Sequence, residues 1–501
     1  MSGKKSKPAR YTEVERKFEV VDATVSPSFE GLSAVSSVER RPVEHLDAVY
    51  YDTPGHDLAA HRITLRRRTG GTDAGWHLKL PAGPDARTEV RAPLGDGDTD
   101  VPDELRDIVL AIVRDRPLAP VARISTERTI DMLHDANGDP VAEFCDDRVT
   151  ASAGDDGPEQ QWREWELELT EHAQHTPELL DRLANRLLDA GAGPAGHGSK
   201  LARVLDTGSG GDEEVSTRKD DPVHRAVAEL VDDLVAWDRA VRDDVEDSVH
   251  QMRVTTRKIR SLLQASESAF GISDDAWVLD ELRQLAGLLG VARDAEVLAE
   301  KYEKALDSLP SELVRGPVRE RLVDGARRRY EAGRRRSLVA MRSQRYFRLL
   351  DALDGLVSAD PAAATDGSAA EPVTIDRSYK RIRKAAKKAG QATGHERDES
   401  LHKIRKRAKQ LRYTAAATGS AKVSDKAKAV QSLLGDHQDS VVSRTHLSEQ
   451  AAAAHTAGED TFTYGVLYRL EDEIAQSAEE ELDDVMSSLH KAVRKAGKKG
   501  K

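Results

Sequence analysis

One string of residues occurs twice in the C-terminal half of this chain, and that duplication restricts the fold more than any other feature. His250, Arg253, Arg257 and Arg260 are spaced three, four and three apart, as are His402, Arg405, Lys409 and Arg412. Each set is followed about one helix hairpin later by a second shared string. In the first half it is Leu288-Leu289-Gly290 with Asp294 and Val297, and in the second Leu433-Leu434-Gly435 with Asp439 and Val442. Residues three and four apart share one face of an α-helix, and two ordered strings at matched spacing mark a repeated supersecondary unit. The reading is a duplicated helical bundle. Pro222 opens it, and the Ala/Asp/Gly-rich stretch Ser358 to Glu371 divides it.

The N-terminal part has a different period. From Tyr11 to Leu205, runs such as Glu13 to Phe18 and Trp165 to Leu169 alternate every two residues, as β-strands do. Turns at Gly70-Gly71, Pro81 to Pro84 and Ala136 to Pro140 separate them, with helices expected at Asp103 to Arg114 and Thr176 to Ala190. A polar linker, Thr207 to Glu214, follows. The fold class is therefore α+β and multidomain, a β domain ahead of an all-α duplicated bundle. The expected segments are 9–206, a linker at 207–220, helices over 221–490 (repeats at about 221–357 and 373–490) and a disordered basic tail at 491–501.

A net charge of −12 over 501 residues argues against indiscriminate nucleic-acid binding. The single cysteine, Cys145, excludes an internal disulfide and a multi-cysteine metal site. No run approaches the roughly 20 apolar residues of a membrane span, and no apolar stretch follows the basic N-terminus, so a cytoplasmic protein is expected.

In the strands the charges fall in rows that share a face: Glu13, Glu15 and Lys17; Arg66 and Arg68; Arg87, Glu89 and Arg91; Glu164, Glu166 and Glu168; and the isolated Lys79. A solvent-facing sheet with cross-strand ion pairs accounts for any one row. Four rows and a lone lysine in one small domain point instead to a ligand needing both signs. A polyanion carrying divalent metal is such a ligand: guanidinium and ammonium groups hold phosphate oxygens, and carboxylates hold Mg²⁺ or Mn²⁺. His45, His56 and His77 are read as surface or structural residues.

These residues resemble the ExExK signature of the CYTH superfamily, the triphosphate tunnel metalloenzymes. The likeness starts at Glu13-x-Glu15-x-Lys17 and continues in order through Arg66/Arg68, Lys79, Arg87/Glu89, Arg123, Arg128, Asp146-Asp147, Glu166/Glu168 and Ser199-Lys200. It implies an antiparallel barrel of eight strands around a linear triphosphate. Glu13, Glu15, Glu166 and Glu168, with Asp146 or Asp147, would hold the metal. Arg66, Arg68, Lys79, Arg87, Arg123, Arg128 and Lys200 would grip phosphate. Lys17, with Glu13 and Glu15, would serve catalysis, orienting or deprotonating water.

The helical stripes are almost purely cationic, widened by Lys258, Lys403, Lys406 and Arg407. They lack the aromatic interleaving of single-strand binders and any zinc-finger or basic-zipper pattern. A flexible polyphosphate suits such a stripe by the counterion-release logic that governs DNA. The two strings, with Arg293-Asp294 and His437-x-Asp439, resemble the CHAD domain, the conserved-histidine α-helical domain. That implies two four-helix bundles binding inorganic polyphosphate through His250, Arg253, Arg257, Lys258, Arg260, His402, Arg405, Lys406, Lys409 and Arg412. The expected activity is metal-dependent hydrolysis of inorganic triphosphate or short polyphosphate in the barrel, with polyphosphate held by the helices. No specific nucleic-acid or membrane partner is expected. The alternatives are a non-catalytic polyphosphate-binding or granule-associated protein, and a CYTH-type adenylyl cyclase or thiamine triphosphatase.

Overall fold

The computed structural model describes residues 9–95, 100–154, 157–205, 222–266, 270–272, 276–359, 375–417 and 419–499. The expected linker at 207–220, and the dividing stretch from 360 onward, lie outside them. Two compact units emerge. One joins Met1–Ala286 with Ser337–Ala362, and the other joins Gly287–Arg336 with Ala363–Lys501.

In the first unit eight strands close into an antiparallel barrel: β1 (Ala9–Val20), β3 (Glu44–Asp52), β4 (Thr64–Thr69), β5 (Gly75–Pro81), β6 (Ala86–Ala92), β7 (Ala119–His134), β8 (Pro140–Ala153) and β9 (Gln160–Leu169). The order is β1-β6-β5-β4-β3-β7-β8-β9, and β9 returns to β1 from Val14↔Leu169 to Val20↔Arg163. Short strands β2 (Ser37–Arg40) and β10 (Gly193–Pro194) flank it on β7 and β1.

The two-residue period sorts charge inward and apolar groups outward, the reverse of an ordinary core. Outward-facing Leu65, Trp76, Leu78 and Val90 are covered by helices α2 (Asp103–Ile108) and α3 (Leu110–Val113) through Leu105, Ile108 and Ile112. On the opposite side Phe144, Trp165 and Leu167 are covered by helix α4 (Pro177–Asp189) through Leu180, Leu183 and Leu187. Helix α1 is the single turn Asp57–Ala60. Each such buried side chain contributes about 1.5–3 kcal/mol, so the outer shell holds the barrel closed around its charged lumen.

One end of the lumen is apolar. Helix α5 (Lys200–Val204) inserts Leu201 and Val204 among the inward-facing Ala48, Tyr50, Ala122, Ile124, Val149 and Ala151. The small alanines leave room for this plug.

Helices α6 (Pro222–Asp243), α7 (Ser248–Ala265) and α10 (Gln344–Ser358) belong to the same unit, and two of them dock on the barrel. Val235 of α6 packs against the α2–α3 core. Asp107 of α2 pairs with Arg242 at 3.1 Å and with Arg342 at 2.8 Å. Arg114 (φ 57°) reaches Asp351 and Asp354 of α10.

Two helices, α8 (Trp277–Ser308) and α9 (Gly325–Ala340), run across the division between units. In the second unit α11 (Ile375–Ala389), α12 (Gly394–Ala417), α13 (Ala421–Thr456) and α14 (Phe462–Lys499) share a core of Ile382, Leu401, Ile404, Leu411, Leu434 and Leu489. A second core joins Tyr302, Leu306 and Leu322 to Leu447, Tyr464 and Leu467. Gly333 of α9 lies against Ala292, where an added Cβ would come within 2.9 Å of backbone. The tail expected to be disordered after His490 is helical: α14 continues to Lys499, with Ala492 and Val493 buried in the bundle core. Their helical spacing after Leu489 overrides the Lys/Arg-rich composition. Among the described residues no helix is long and apolar enough to cross a membrane.

Candidate active site

The lumen is a cavity of about 280 Å³ lined by charged residues of both signs. Three carboxylates converge on one wall. Asp147 of β8 faces Glu164 of β9 in register, and oxygens of Asp147, Glu164 and Glu166 lie within 4.8 Å of one another. Lys200, the first residue of α5, reaches all three, at 2.8 Å from Asp147 and 2.7 Å from each of Glu164 and Glu166. Ser199 caps α5, its hydroxyl accepting from the Ala202 N–H at 3.1 Å, and this capping fixes where Lys200 starts. Arg128 forks onto Asp147 with Nε and Nη2, at 2.7 and 2.6 Å, and also reaches Glu166 at 2.5 Å.

A second group of carboxylates lies along β1. Glu13 pairs with Lys79 at 2.5 Å. Glu15 pairs with Lys17 at 3.1 Å and lies 3.5 Å from Arg87, and Lys17 also bonds Glu166. The Glu168 side chain on β9 has neither a hydrogen bond nor an ion pair among the described residues, although Glu15 stands opposite it in register.

Burial alone would raise Glu13, Glu15, Asp147, Glu166 and Glu168, and the neighbouring charges decide the outcome. Lys17 and Lys79 outweigh it at Glu15 and bring that group down to about 2. At Glu166 Lys17, Lys200 and Arg128 do the same, and at Asp147 Arg128 and Lys200, so both stay ionised. Glu13 ends above its ordinary value, because burial with Glu89 and Glu15 nearby exceeds the help of Lys79. Burial and Glu13 push Glu168 up to about 8. Lys17 is held above its usual range: Glu15 and Glu166 outweigh its burial. It therefore stays an ammonium that can orient or neutralise but not take a proton.

On the opposite wall Arg66 and Arg68 point inward from β4, and the Nε of each is a buried donor with no hydrogen-bond partner. Arg66 also donates to the Tyr50 hydroxyl at 3.3 Å. Burial, with Arg66 and Arg128 close by, pushes Arg68 down to about 9. Arg87 lines the lumen as well, donating to the Gly198 carbonyl at 2.8 Å.

Of the residues picked from sequence, two lie elsewhere. Arg123 is exposed on the outer face of β7, beside Arg67 and Ser125, because it is five residues from Arg128 and so of opposite parity. Asp146 likewise points away from the lumen, where Arg163 forks onto it at 2.8 and 2.6 Å. Its neighbour Asp147, fully buried, is the lumen aspartate. Lumen residues outside the expected site set are Glu164, within the carboxylate triad, and Glu89, Arg91, Tyr50 and Asp73. Parity with Glu166 and Arg87 was the available signal for Glu164, Glu89 and Arg91. Nothing in the local pattern marked Tyr50 or Asp73. His77 proves structural, buried, with its ring nitrogens 2.8 Å from Glu89 and 2.9 Å from the Asp73 carbonyl.

The lumen fits a hard divalent cation by its donor set: Asp147, Glu164 and Glu166 offer carboxylate oxygens within 4.8 Å of one another, and Glu13, Glu15 and Glu168 line the same cavity.

The basic stripes occupy matched positions on their helices. On α7, His250, Arg253 and Arg260 are half-buried, while Arg257 and Lys258 are exposed. On α12, His402, Arg405, Lys409 and Arg412 are half-buried beside the buried Ile404, Ala408 and Leu411, with Lys403, Lys406 and Arg407 outward. Buried polar atoms at His250 Nδ1, Arg260 Nε and His402 Nδ1 have no hydrogen-bond partner. Gly435 of the second shared string lies against Arg405, where an added Cβ would sit 3.5 Å from the guanidinium. Burial, with Lys406 and Arg405 nearby, lowers His402 below its ordinary value, leaving it neutral near pH 7. His437, buried, ties three helices together from α13, 3.3 Å from Glu479 and 3.7 Å from Asp398.

A closed antiparallel barrel whose interior mixes carboxylates with arginines and lysines, followed by a helical region, is the architecture of a triphosphate-tunnel protein. Family models agree: residues 11–189 match the CYTH domain and residues 225–448 the CHAD domain. Two Mycobacterium tuberculosis proteins, uncharacterized protein Rv2226 (strain H37Rv) and uncharacterized protein MT2285 (strain CDC 1551), are each 64% identical over 506 residues, covering 98% of both chains. The chain belongs to the proteins in which a CYTH domain is followed by a CHAD domain. Among solved structures, PptA from Streptomyces chartreusis is 21% identical, covering 53% of this chain and 98% of its own, with a TM-score of 0.41. The CHAD domain from Ricinus communis is 22% identical, covering 53% and 89%, with a TM-score of 0.38. CYTH proteins are metal-dependent enzymes acting on phosphoanhydrides.

Proposed function

We propose that the barrel hydrolyses inorganic triphosphate or short polyphosphate with Mg²⁺ or Mn²⁺, and that the helical region binds inorganic polyphosphate. The observation that carries the reading is the pairing of opposed walls. Buried, unpartnered Arg66 and Arg68 Nε donors face a lumen whose other wall is carboxylate. Buried donors without partners are costly, and phosphate oxygens would satisfy them.

In this reading Arg66, Arg68 and Arg128 hold the chain's oxygens and spread its charge. Lys17, fixed by Glu15 and Glu166, orients the reacting end. The α5 plug excludes bulk water at its end of the lumen. Glu13, Glu15, Glu166, Glu168 and Asp147 would hold the metal, which neutralises phosphate charge and positions an attacking water when bound. The α7 and α12 stripes carry no such carboxylates among their own residues, so their part is binding.

The test is phosphate release from tripolyphosphate by purified protein with each metal. Turnover that Glu13→Ala and Lys17→Ala abolish supports the proposal. A second reading, a polyphosphate-binding protein whose barrel does not turn over, draws on Lys200, whose ammonium sits among the three carboxylates where a metal would go. No turnover with either metal, with polyphosphate binding retained, would select it.

A further inference from the structure

The lumen end away from the α5 plug is bounded by the β4–β5 hairpin, whose tip is built in a particular way. Gly70 and Gly71 both have positive φ, 79° and 70°. An added Cβ at Gly70 would lie 2.0 Å from the His45 carbonyl oxygen, and at Gly71 2.6 Å from the Leu46 side chain. Only glycine allows this turn to press against β3. Further along the tip, the Asp73 carbonyl is held by His77 at 2.9 Å, and His77 is itself held by Glu89 at 2.8 Å. The backbone at Asp73 is thus stapled to the lumen wall.

The side chain of Asp73 takes no part in that staple. It lines the lumen, bonds the Arg68 guanidinium and lies 3.8 Å from Arg91. Arg91 already has Glu89 as a partner, whereas Asp73 is the carboxylate bonded to Arg68 among the described residues. A carboxylate oxygen here takes the Nη2 end of Arg68, the last basic residue of its row, and leaves the Nε to a bound phosphate chain.

We propose that Asp73 is a specificity-determining residue that limits chain length. It fills the Nη2 end of the Arg68 guanidinium with an internal anion, so that a short linear phosphate fits between it and the α5 plug while a longer one meets negative charge. The inference rests on the reading of the lumen as a triphosphate site. An added phosphate unit must displace Asp73 from Arg68 or lie beside it, and like charges in a buried site repel strongly.

The experiment compares wild type, Asp73→Asn and Asp73→Glu on tripolyphosphate and on a linear pentaphosphate. The readouts are kcat/KM with Mg²⁺ or Mn²⁺ and, separately, affinity by calorimetry in chelator. Losing one charge-assisted contact corresponds to about a tenfold change, so Asp73→Asn should raise the pentaphosphate-to-triphosphate ratio roughly tenfold. Asp73→Glu, which keeps the anion, should stay near the wild-type ratio. Because the staple uses the Asp73 backbone, Asp73→Asn should melt with wild type. A folded Asp73→Asn with an unchanged ratio overturns the proposal. Wild type inactive on both chains would instead overturn the triphosphatase reading, and the metal-free affinity ratio would still decide the role of Asp73.

Discussion

Replacing Glu168 by glutamine should stabilise the barrel at alkaline pH and leave its acid stability nearly unchanged. Glu168 has no ion-pair partner among the described residues, and burial beside Glu13 pushes it from 4.5 up to about 8. The unfolded chain loses this proton near 4.5, whereas the folded chain keeps it to about 8. Stability from this group is therefore full below pH 4.5, falls as pH rises, and is gone above pH 8. A difference of about 3.5 at ~1.4 kcal/mol for each pH unit gives a ceiling of about 5 kcal/mol. The side chain is only half-buried, and water screening reduces this to about 2–3 kcal/mol. For a domain of this size that corresponds to about 5–10 °C in melting temperature. The assay is calorimetric melting of both proteins in chelator between pH 4.5 and 8.5. The gap between Glu168→Gln and wild type should widen by that amount as pH rises. A gap independent of pH would refute the account of Glu168, since all other titrating groups are common to both proteins. Divalent metal at pH 8 should then raise the melting temperature of wild type more than that of the variant.

Other expectations follow from where side chains point. Arg123→Ala, on the outer face, should leave tripolyphosphate affinity within about twofold, while Arg128→Ala, which loses two buried carboxylate partners, should lower it at least tenfold by calorimetry. Polyphosphate binding by the whole protein should weaken with salt, and Arg253→Ala with Arg405→Ala should lower the log–log salt slope by about two, roughly one for each cation removed. Val493→Asp should cost at least about 3 kcal/mol of stability, read by denaturant melts, because it buries an unpaired charge in the second unit's core. Buried Cys145, whose thiol burial pushes up, should resist alkylation in the native protein and react on unfolding.

Much of the lumen was legible because a strand's period is two: once Glu166 faces inward, Glu164 and Glu168 must follow. The same rule identifies the misplacement of Arg123, which cannot share a face with Arg128 on an unbroken strand. Adjacent Asp146 and Asp147 are beyond any pattern. What distinguishes them is a partner across the sheet, since Arg128 lies in register with Asp147. The α5 plug was hidden because Leu201 and Val204 acquire meaning only against alanines far off in sequence. The helical end of the chain was misjudged for a related reason, as lysines around Ala492 and Val493 masked a buried stripe. The division between units, which cuts through α8 and α9, likewise depends on long-range packing that no local string reports.

The proposed function has the lumen cleave a linear triphosphate between its arginine and carboxylate walls. Phosphorus NMR of tripolyphosphate incubated with wild-type protein and Mg²⁺ or Mn²⁺ tests it most directly. Orthophosphate and pyrophosphate should appear in equal amounts, with the reaction stopped by chelator. Intact tripolyphosphate under every metal condition would contradict it.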